Sequence, residues 1–237
     1  MRFVGRDREL KKLNELYQEE EFQFVVIYRR RRVGKTMLIN EFLKKKRSAY
    51  YMAVEGTSKE NLSGISKVLL AEKNEEFYMP EFPDFESLLS YIDHLCKNTD
   101  DQERLVIAID EFPYLAGSYP AISSMLQSHI DQCWKDSNLF LILCGSSMSF
   151  MEEQVLGYKS PLYGRRTAQF KLHPFTYFEA RQMLSGFKAE EQAVLYGVTG
   201  GFQSIYQGFI MSGQWMIILR NYFLMKADVY LMNQGIF

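Results

Sequence analysis

Residues 22–36, FQFVVIYRRRRVGKT, decide the fold. The apolar run at 22–28 is typical of a buried strand, and helix-forming residues follow at 37–46. The loop between them keeps the second glycine, the lysine and the threonine of the pattern GxxxxGK[ST], in which backbone N–H groups cradle phosphates. Its first glycine is replaced by Arg29. GKT alone also fits an ordinary basic turn, but a strand, this loop and a helix N-terminus in succession predict a phosphate-binding loop.

A second signal is the apolar segment LVIAID at 105–110, which ends in Asp110 and Glu111. An acidic pair at a strand end is often a turn or a helix cap. In phosphoryl-transfer sites, however, such a pair holds Mg²⁺ through the aspartate and polarises the attacking water through the glutamate. Because the pair and the loop each follow their own predicted buried strand, together they favour a nucleotide site.

Three further segments predict strands, at 48–55, 139–146 and 167–175. Segments with helical character lie before and between the strands, at 6–19, 57 to the early 70s, 84–97 and 121–134. Near-continuous apolar strands are typical of a parallel sheet buried on both faces. The alternation predicts an α/β sandwich with a five-stranded parallel sheet.

Only short helical segments follow residue 176. We therefore expect a core over 1–175 and a small helical lid over 176–237, which we expect to be incomplete.

The composition excludes several classes of protein. With 237 residues, 47% hydrophobic and 15% aromatic, the chain is folded and globular. Its 28 basic and 29 acidic residues give a net charge of -1. The chain as a whole therefore lacks the excess positive charge that is typical of nucleic-acid-binding proteins. Three cysteines at unrelated spacings disfavour a disulfide framework and a zinc site. The N-terminus is charged from its second residue and no apolar run approaches about 18 residues, so we expect a cytoplasmic protein without membrane contact.

These motifs resemble the AAA+-related P-loop ATPases of archaea and bacteria, in the branch of signal-transduction NTPases with numerous domains (STAND). The resemblance covers nearly the whole chain and includes four other segments: FVGRDREL at 3–10, LCGSS at 143–147, PLYGRRT at 161–167 and VTGG at 198–201. In the same order, they look like the family's N-terminal motif that packs against the adenine ring, its sensor strand, a segment that can present an arginine to a phosphate, and the turn in the helical lid. The resemblance implies an ASCE/AAA+-like three-layer core with a helical lid.

The resemblance also implies a site for ATP or ADP with Mg²⁺. The residues expected to bind the nucleotide are Val4, Gly5, Arg30, Arg31, Arg32, Val33, Gly34, Lys35, Thr36 and Met37. Thr36 and Asp110 are expected to hold Mg²⁺. Glu111 is expected to orient water, Ser146 to sense the γ-phosphate, and Arg165 or Arg166 to neutralise charge during transfer. An arginine supplied in trans would couple hydrolysis to assembly.

Two departures from the family pattern leave alternatives open. Arg29 stands where the family has glycine, and Phe202 follows the lid turn where the family has Ile-Pro or Val-Pro. The main hypothesis is an ATP-binding protein whose Mg²⁺-dependent hydrolysis drives a conformational or assembly switch. One alternative is a switch or scaffold that binds nucleotide without hydrolysing it. The other is a degenerate remnant with impaired nucleotide binding.

The segment 205–237 is poor in charge and carries only Arg220, Lys226 and Asp228. We expect a protein partner or self-association through it, because an exposed apolar face favours association. Family members usually continue into a winged-helix or nuclease-like region, so we expect a C-terminally truncated form. A DNA partner rests only on analogy with initiator and helicase-loader relatives.

Overall fold

The computed structural model describes residues 3–71, 81–97, 103–202 and 206. Its sheet is formed by β1 (Gln23–Tyr28), β2 (Ser48–Met52), β3 (Val106–Asp110), β4 (Phe140–Gly145) and β5 (Ala168–Lys171). The five strands lie in the order β2-β3-β4-β1-β5 and every neighbouring pair is parallel. The predicted five-stranded parallel sheet is confirmed.

The place of each strand in the sheet follows from its residues. Every position of β1, β3 and β4 is buried, as their continuous apolar sequences predict for central strands. The outer strands β2 and β5 alternate between more and less buried positions. Exposed polar side chains on β5, such as Gln169 and Lys171, protect that edge from pairing with another strand.

Helices formed by residues before β4 cover both faces of the sheet. The bounds of the described α-helices are α1 (Asp7–Gln18), α2 (Lys35–Leu43), α3 (Ser58–Ala71), α4 (Phe85–Lys97), α5 (Phe112–Ser118), α6 (Ile122–Gln132), α7 (Met148–Phe150), α8 (Tyr177–Met183) and α9 (Ala189–Thr199). On one face, α1 and α2 contact each other, and Tyr17, Phe42 and Phe140 form an aromatic cluster beneath them. The larger core, on the other face, contains buried side chains of α3, α4, α5 and α6. The result is a three-layer sandwich.

Several local features differ from the sequence-based expectations. Helix α5 was not predicted, because its short sequence FPYLAGS contains proline and glycine. A π-helix at Met151–Val155, also unpredicted, follows α7. Strand β2 ends at Met52 rather than at residue 55, since the N–H of Val54 donates to the side chain of Asn61 instead of to a strand. Strand β5 ends at Lys171, before Pro174.

The order of the strands creates a crevice between β1 and β4. The chain runs from β1 to β2, which lies beyond β4 and β3 on one side of the sheet. From β4 it runs to β5, which lies beyond β1 on the other side. The connections from β1 and β4 therefore run in opposite directions. In open α/β sheets, ligands bind at such a switch point, outside the carboxyl ends of the strands.

The contacts divide the chain into two compact units, Met1–His173 and Pro174–Phe237. In the second unit, Thr176 and Glu179 form a capping box at the start of α8, and α8 packs on α9. Its described core includes Phe175, Leu195 and Tyr206. Gly201 is required there, because a Cβ atom at this position would lie 2.2 Å from the carbonyl oxygen of Phe175.

The role of this second unit as a lid stays a prediction. Its apolar segment falls almost wholly outside the described residues. Within the described part of the chain, no helix combines the length and the apolar character needed to cross a membrane.

Candidate nucleotide-binding site

The phosphate loop follows β1 and leads into α2. Gly34 is the N-cap of α2 with φ of 88°, a left-handed conformation that glycine adopts without a steric penalty. Arg32 also has a positive φ, 73°. Arg29 does not: its N–H donates to the carbonyl oxygen of Gly145 at 3.4 Å, which extends the pairing of β1 with β4. The arginine in place of the first glycine is therefore accommodated without left-handed strain.

Lys35 brings a positive charge into the loop. Its side chain is buried, and Nζ donates to the carbonyl oxygens of Arg29 at 2.8 Å and Arg30 at 3.4 Å. An ammonium group at the centre of a loop that begins a helix favours an anionic ligand, because the helix dipole and the free N–H groups act in the same direction.

Thr36 and Asp110 form the link between the loop helix and β3. The hydroxyl of Thr36 donates to Oδ2 of Asp110 at 2.7 Å, and the N–H of Glu111 donates to Oδ1 at 2.8 Å. A hydroxyl has one hydrogen and two lone pairs, so this bond leaves the lone pairs of Thr36 free to accept a cation.

These oxygens fit Mg²⁺, which takes oxygen ligands and usually binds through one or two protein groups plus substrate phosphates and water. Among the described residues there is no cluster of three or more His, Cys, Asp or Glu that could hold a metal by itself. In a phosphate site Mg²⁺ does not need a cage of protein ligands, and the hydroxyl of Thr36 and the carboxylate of Asp110 are oxygen donors of the kind that it takes.

Glu111 and Ser146 meet at the carboxyl ends of β3 and β4. Oε2 of Glu111 accepts hydrogen bonds from the N–H of Ser146 at 3.1 Å and from its hydroxyl at 2.8 Å. Glu111 is the N-cap of α5 and has φ of 51°, a left-handed conformation that is unusual for glutamate. The structure thus brings together two residues that were predicted for the site.

Two residues that sequence reasoning missed also surround Asp110. The hydroxyl of Tyr50 donates to Oδ2 of Asp110 at 3.0 Å. Burial, and next the charge of Asp110, raise the pKa of Tyr50. Burial is also the main cause that raises the pKa of the fully buried Cys144 well above its usual value, with Asp110 second. Both groups therefore stay protonated beside the carboxylate.

The N-terminal box is attached to the phosphate loop. Gly5 has φ of 69°, and the following residue, Arg6, donates from Nη2 to the carbonyl oxygen of Val33 at 2.9 Å. This bond places the half-buried Val4 and the buried Gly5 on the segment next to the loop.

The remaining predicted loop residues differ in exposure. Arg30, Arg31 and Arg32 are exposed, and Arg31 donates to the hydroxyl of Tyr114. The side chain of Val33 is buried, and Met37 is half-buried on α2.

Arg165 and Arg166 lie at the amino ends of the strands, whereas the phosphate loop lies at the carboxyl ends. They precede β5, and the N–H of the next residue, Thr167, donates to the carbonyl oxygen of Phe24 near the start of β1. The loop follows the end of β1, so most of the length of that strand, roughly 15 Å at 3.3 Å per residue, separates it from the arginines.

Arg165 is engaged at that end of the sheet. It pairs with Asp131 through two bonds of 2.8 and 2.6 Å, and this partner raises its pKa. Arg165 and Arg166 therefore lie away from the phosphate loop of their own chain, and their expected role in neutralising phosphate charge stays a prediction. Supply in trans stays a prediction.

The fold is a parallel α/β sandwich, with a GKT loop at the switch point and an Asp-Glu pair at the carboxyl end of β3. This combination defines a P-loop nucleotide-binding protein. A model of the ATPase domain found predominantly in Archaea matches residues 3–207. The chain belongs to this family. The family resemblance predicted from the motifs is confirmed.

The chain is 36% identical over 199 residues to the uncharacterized protein MJECL04 of Methanocaldococcus jannaschii. The aligned region covers 84% of this chain and 42% of that protein. The chain thus spans less than half of this relative's length.

Two solved structures have the same fold. The Walker-type ATPase PABY2304 of Pyrococcus abyssi has a TM-score of 0.65 at 18% identity, over 98% of this chain and 74% of that chain. The ORC2 protein of Aeropyrum pernix, solved as ADPNP–ADP complexes, has a TM-score of 0.56 at 17% identity, over 81% of this chain and 53% of that chain. The predicted P-loop fold is confirmed. Partners, including DNA, stay predictions.

Proposed function

We propose that this chain binds ATP and ADP with Mg²⁺ at the crevice between β1 and β4, and that it hydrolyses ATP to drive a conformational or assembly switch. The observation that carries the proposal is the 2.7 Å bond from Thr36 to Asp110. It joins the start of α2 to the acidic strand end, so the two motifs found separately in the sequence are in contact, as one site would require.

Each residue has a role that its position supports. Lys35 would exchange the loop carbonyl oxygens for the β- and γ-phosphate oxygens, a stronger charge-assisted pairing. Thr36 and Asp110 would hold Mg²⁺, which when bound neutralises phosphate charge. Glu111 would accept a hydrogen bond from the attacking water and orient it. Ser146, beside Glu111, would respond to the presence of the γ-phosphate.

The non-hydrolysing switch remains the second candidate, and one observation favours it. Both hydrogen bonds from Ser146 end on Oε2 of Glu111, so this oxygen is already occupied by the protein. An attacking water would have to bind the other oxygen, Oε1, or displace Ser146 from Oε2. The backbone at Arg29 gives no support to the third alternative, a loop disabled at its first position.

The test is steady-state phosphate release from Mg-ATP by the native chain and by Glu111→Gln. Loss of a positioned general base lowers turnover by about a hundredfold or more. Glu152→Gln is the matched control, because Glu152 is an exposed glutamate paired with Lys171. Equal turnover in the native chain and Glu111→Gln would remove Glu111 from the mechanism. An inactive native chain that still binds Mg-ATP would favour the non-hydrolysing switch.

Ser146→Ala separates two roles of that serine. If the hydroxyl of Ser146 mainly restrains Glu111, its removal raises turnover. If it mainly contacts the γ-phosphate, its removal lowers turnover. Scattering of the native chain with ATP, with ADP and without nucleotide tests the switch, because a switch requires a size or shape that differs among these states.

A further inference from the structure

The carboxylate of Asp110 is held from two elements besides its own strand. Its Oδ2 accepts one hydrogen bond from Thr36 on α2 and a second from Tyr50 on β2. Asp110 is 1% exposed, so water has little access to replace either donor. The contact with Tyr50 belongs to none of the motifs that identify the nucleotide site.

The register of the sheet explains why Tyr50 reaches this carboxylate. Strands β2 and β3 are parallel, with Tyr50 beside Ala108 and Met52 beside Asp110. Side chains two residues apart on a strand share a face, so Tyr50 and Asp110 lie on the same face. Thr36 approaches Asp110 from α2.

The next residue on the strand points the other way. Tyr51 is buried in the core on the opposite face, and its hydroxyl donates to Oδ1 of Asn61 on α3 at 2.9 Å. The two adjacent tyrosines thus each donate one hydrogen bond to a side-chain oxygen, but only Tyr50 donates to Asp110.

We propose that Tyr50 is a positioning residue for the divalent cation, an inference that rests on the proposed function. Rotation of a carboxylate about its last side-chain torsion is soft, and hydrogen bonds are needed to fix it. With Tyr50 and Thr36 on one oxygen and the N–H of Glu111 on the other, the carboxylate of Asp110 has a fixed plane.

The fixed carboxylate in turn directs the hydroxyl of Thr36. Its single hydrogen points to Asp110 and its lone pairs point away, toward the place of a cation. Without the hydroxyl of Tyr50, Oδ2 of Asp110 keeps only Thr36 as a donor, so the carboxylate and the Thr36 hydroxyl that points to it are held less firmly. Tyr50 does not bind the cation itself. It keeps the first ligands in the orientation that binds it.

The test compares Tyr50→Phe with Tyr51→Phe. Each variant loses one tyrosine hydroxyl from the same strand and keeps the ring that fills the space. Binding of a fluorescent ADP analogue is measured at increasing Mg²⁺ concentrations and, separately, in EDTA. Removing a hydrogen-bond partner of a metal ligand costs about tenfold to a hundredfold in metal affinity.

We expect Tyr50→Phe to raise the Mg²⁺ concentration for half-maximal binding by about tenfold or more. The affinity for the analogue in EDTA should not change, and Tyr51→Phe should match the native chain in both measurements.

Two results would overturn the assignment of Tyr50 and leave the proposed function standing. One is a native Mg²⁺ dependence in Tyr50→Phe. The other is an equal loss of affinity with Mg²⁺ and in EDTA, which would mean that the hydroxyl supports the fold rather than the cation. A native chain that binds no analogue under either condition would overturn the proposed function as well.

Discussion

Replacing Arg29 and Arg32 by glycine, one at a time, tests where the phosphate loop is strained. Comparison with the GxxxxGK[ST] pattern points to Arg29, since it occupies the position of the first glycine. The structure points to Arg32, whose φ of 73° is left-handed, whereas Arg29 continues the strand pairing of β1. The two variants remove the same side chain from the same loop, so each is the other's control.

The expected effects have opposite signs. A left-handed residue other than glycine costs about 1–2 kcal/mol, and glycine loses about 0.5–1 kcal/mol more on folding than alanine does. Arg32→Gly should therefore stabilise the fold by up to about 1.5 kcal/mol, while Arg29→Gly should destabilise it by about 0.5–1 kcal/mol, so the two variants should differ by the strain of about 1–2 kcal/mol. For a chain of this size, about 2–4 °C in melting temperature per kcal/mol, the two variants should differ by about 2–8 °C.

Thermal unfolding followed by far-ultraviolet circular dichroism measures this difference, and titration with a fluorescent ADP analogue adds the effect on binding. We expect Arg29→Gly to bind the analogue no more tightly than the native chain. A higher melting temperature for Arg29→Gly than for Arg32→Gly would refute the assignment of strain. Tighter binding by Arg29→Gly would show instead that the arginine disables the loop.

Three further predictions follow from buried or distant groups. Arg104→Met should lower the free energy of unfolding by about 4 kcal/mol, because four buried or half-buried hydrogen bonds to main-chain carbonyl oxygens at about 1 kcal/mol each are lost. Lys46→Met, which removes a cation over the same Tyr17 ring, should cost less, and equal melting temperatures for the two variants would contradict this. Burial raises the pKa of Cys144, so its thiol stays protonated at pH 8. Iodoacetamide should therefore modify Cys144 only after the protein unfolds, and peptide mass mapping of the native and the unfolded chain measures this. Arg165→Ala should leave the dissociation constant for Mg-ADP unchanged in dilute solution, since its site is remote from the loop, and a large loss of affinity would contradict the placement.

The sheet was predictable because its central strands carry a strong signal. Continuous apolar runs place β1, β3 and β4 in the interior, and polar or glycine residues at the ends of these runs mark where the strands stop. The joint presence of GKT and of Asp110-Glu111 predicted that two strand ends form one site, which the bond between Thr36 and Asp110 agrees with.

What sequence reasoning missed depends on the order of the strands. Tyr50 reaches Asp110 only because β2 is the neighbour of β3, and no local pattern encodes that adjacency. Sequence reasoning also left the position of Arg165 relative to the loop undetermined. Residues before a parallel strand lie at its amino end, so the segment ahead of β5 could have been assigned to the edge away from the loop.

The same limit applies to Glu111. Its left-handed conformation and its bonds to Ser146 arise where the ends of β3 and β4 meet, which a linear pattern does not describe.

Binding of a fluorescent ATP analogue with Mg²⁺ tests the central claim most directly, with Lys35→Ala beside the native chain and Lys12→Ala as the control. Lys12 is an exposed lysine of α1 paired with Glu15. We predict saturable binding to the native chain and to Lys12→Ala, and an affinity about tenfold to a hundredfold lower in Lys35→Ala, as expected for the loss of a bond to a charged group. Equal affinities in the native chain and Lys35→Ala, or no binding by the native chain, would contradict a nucleotide site in this loop.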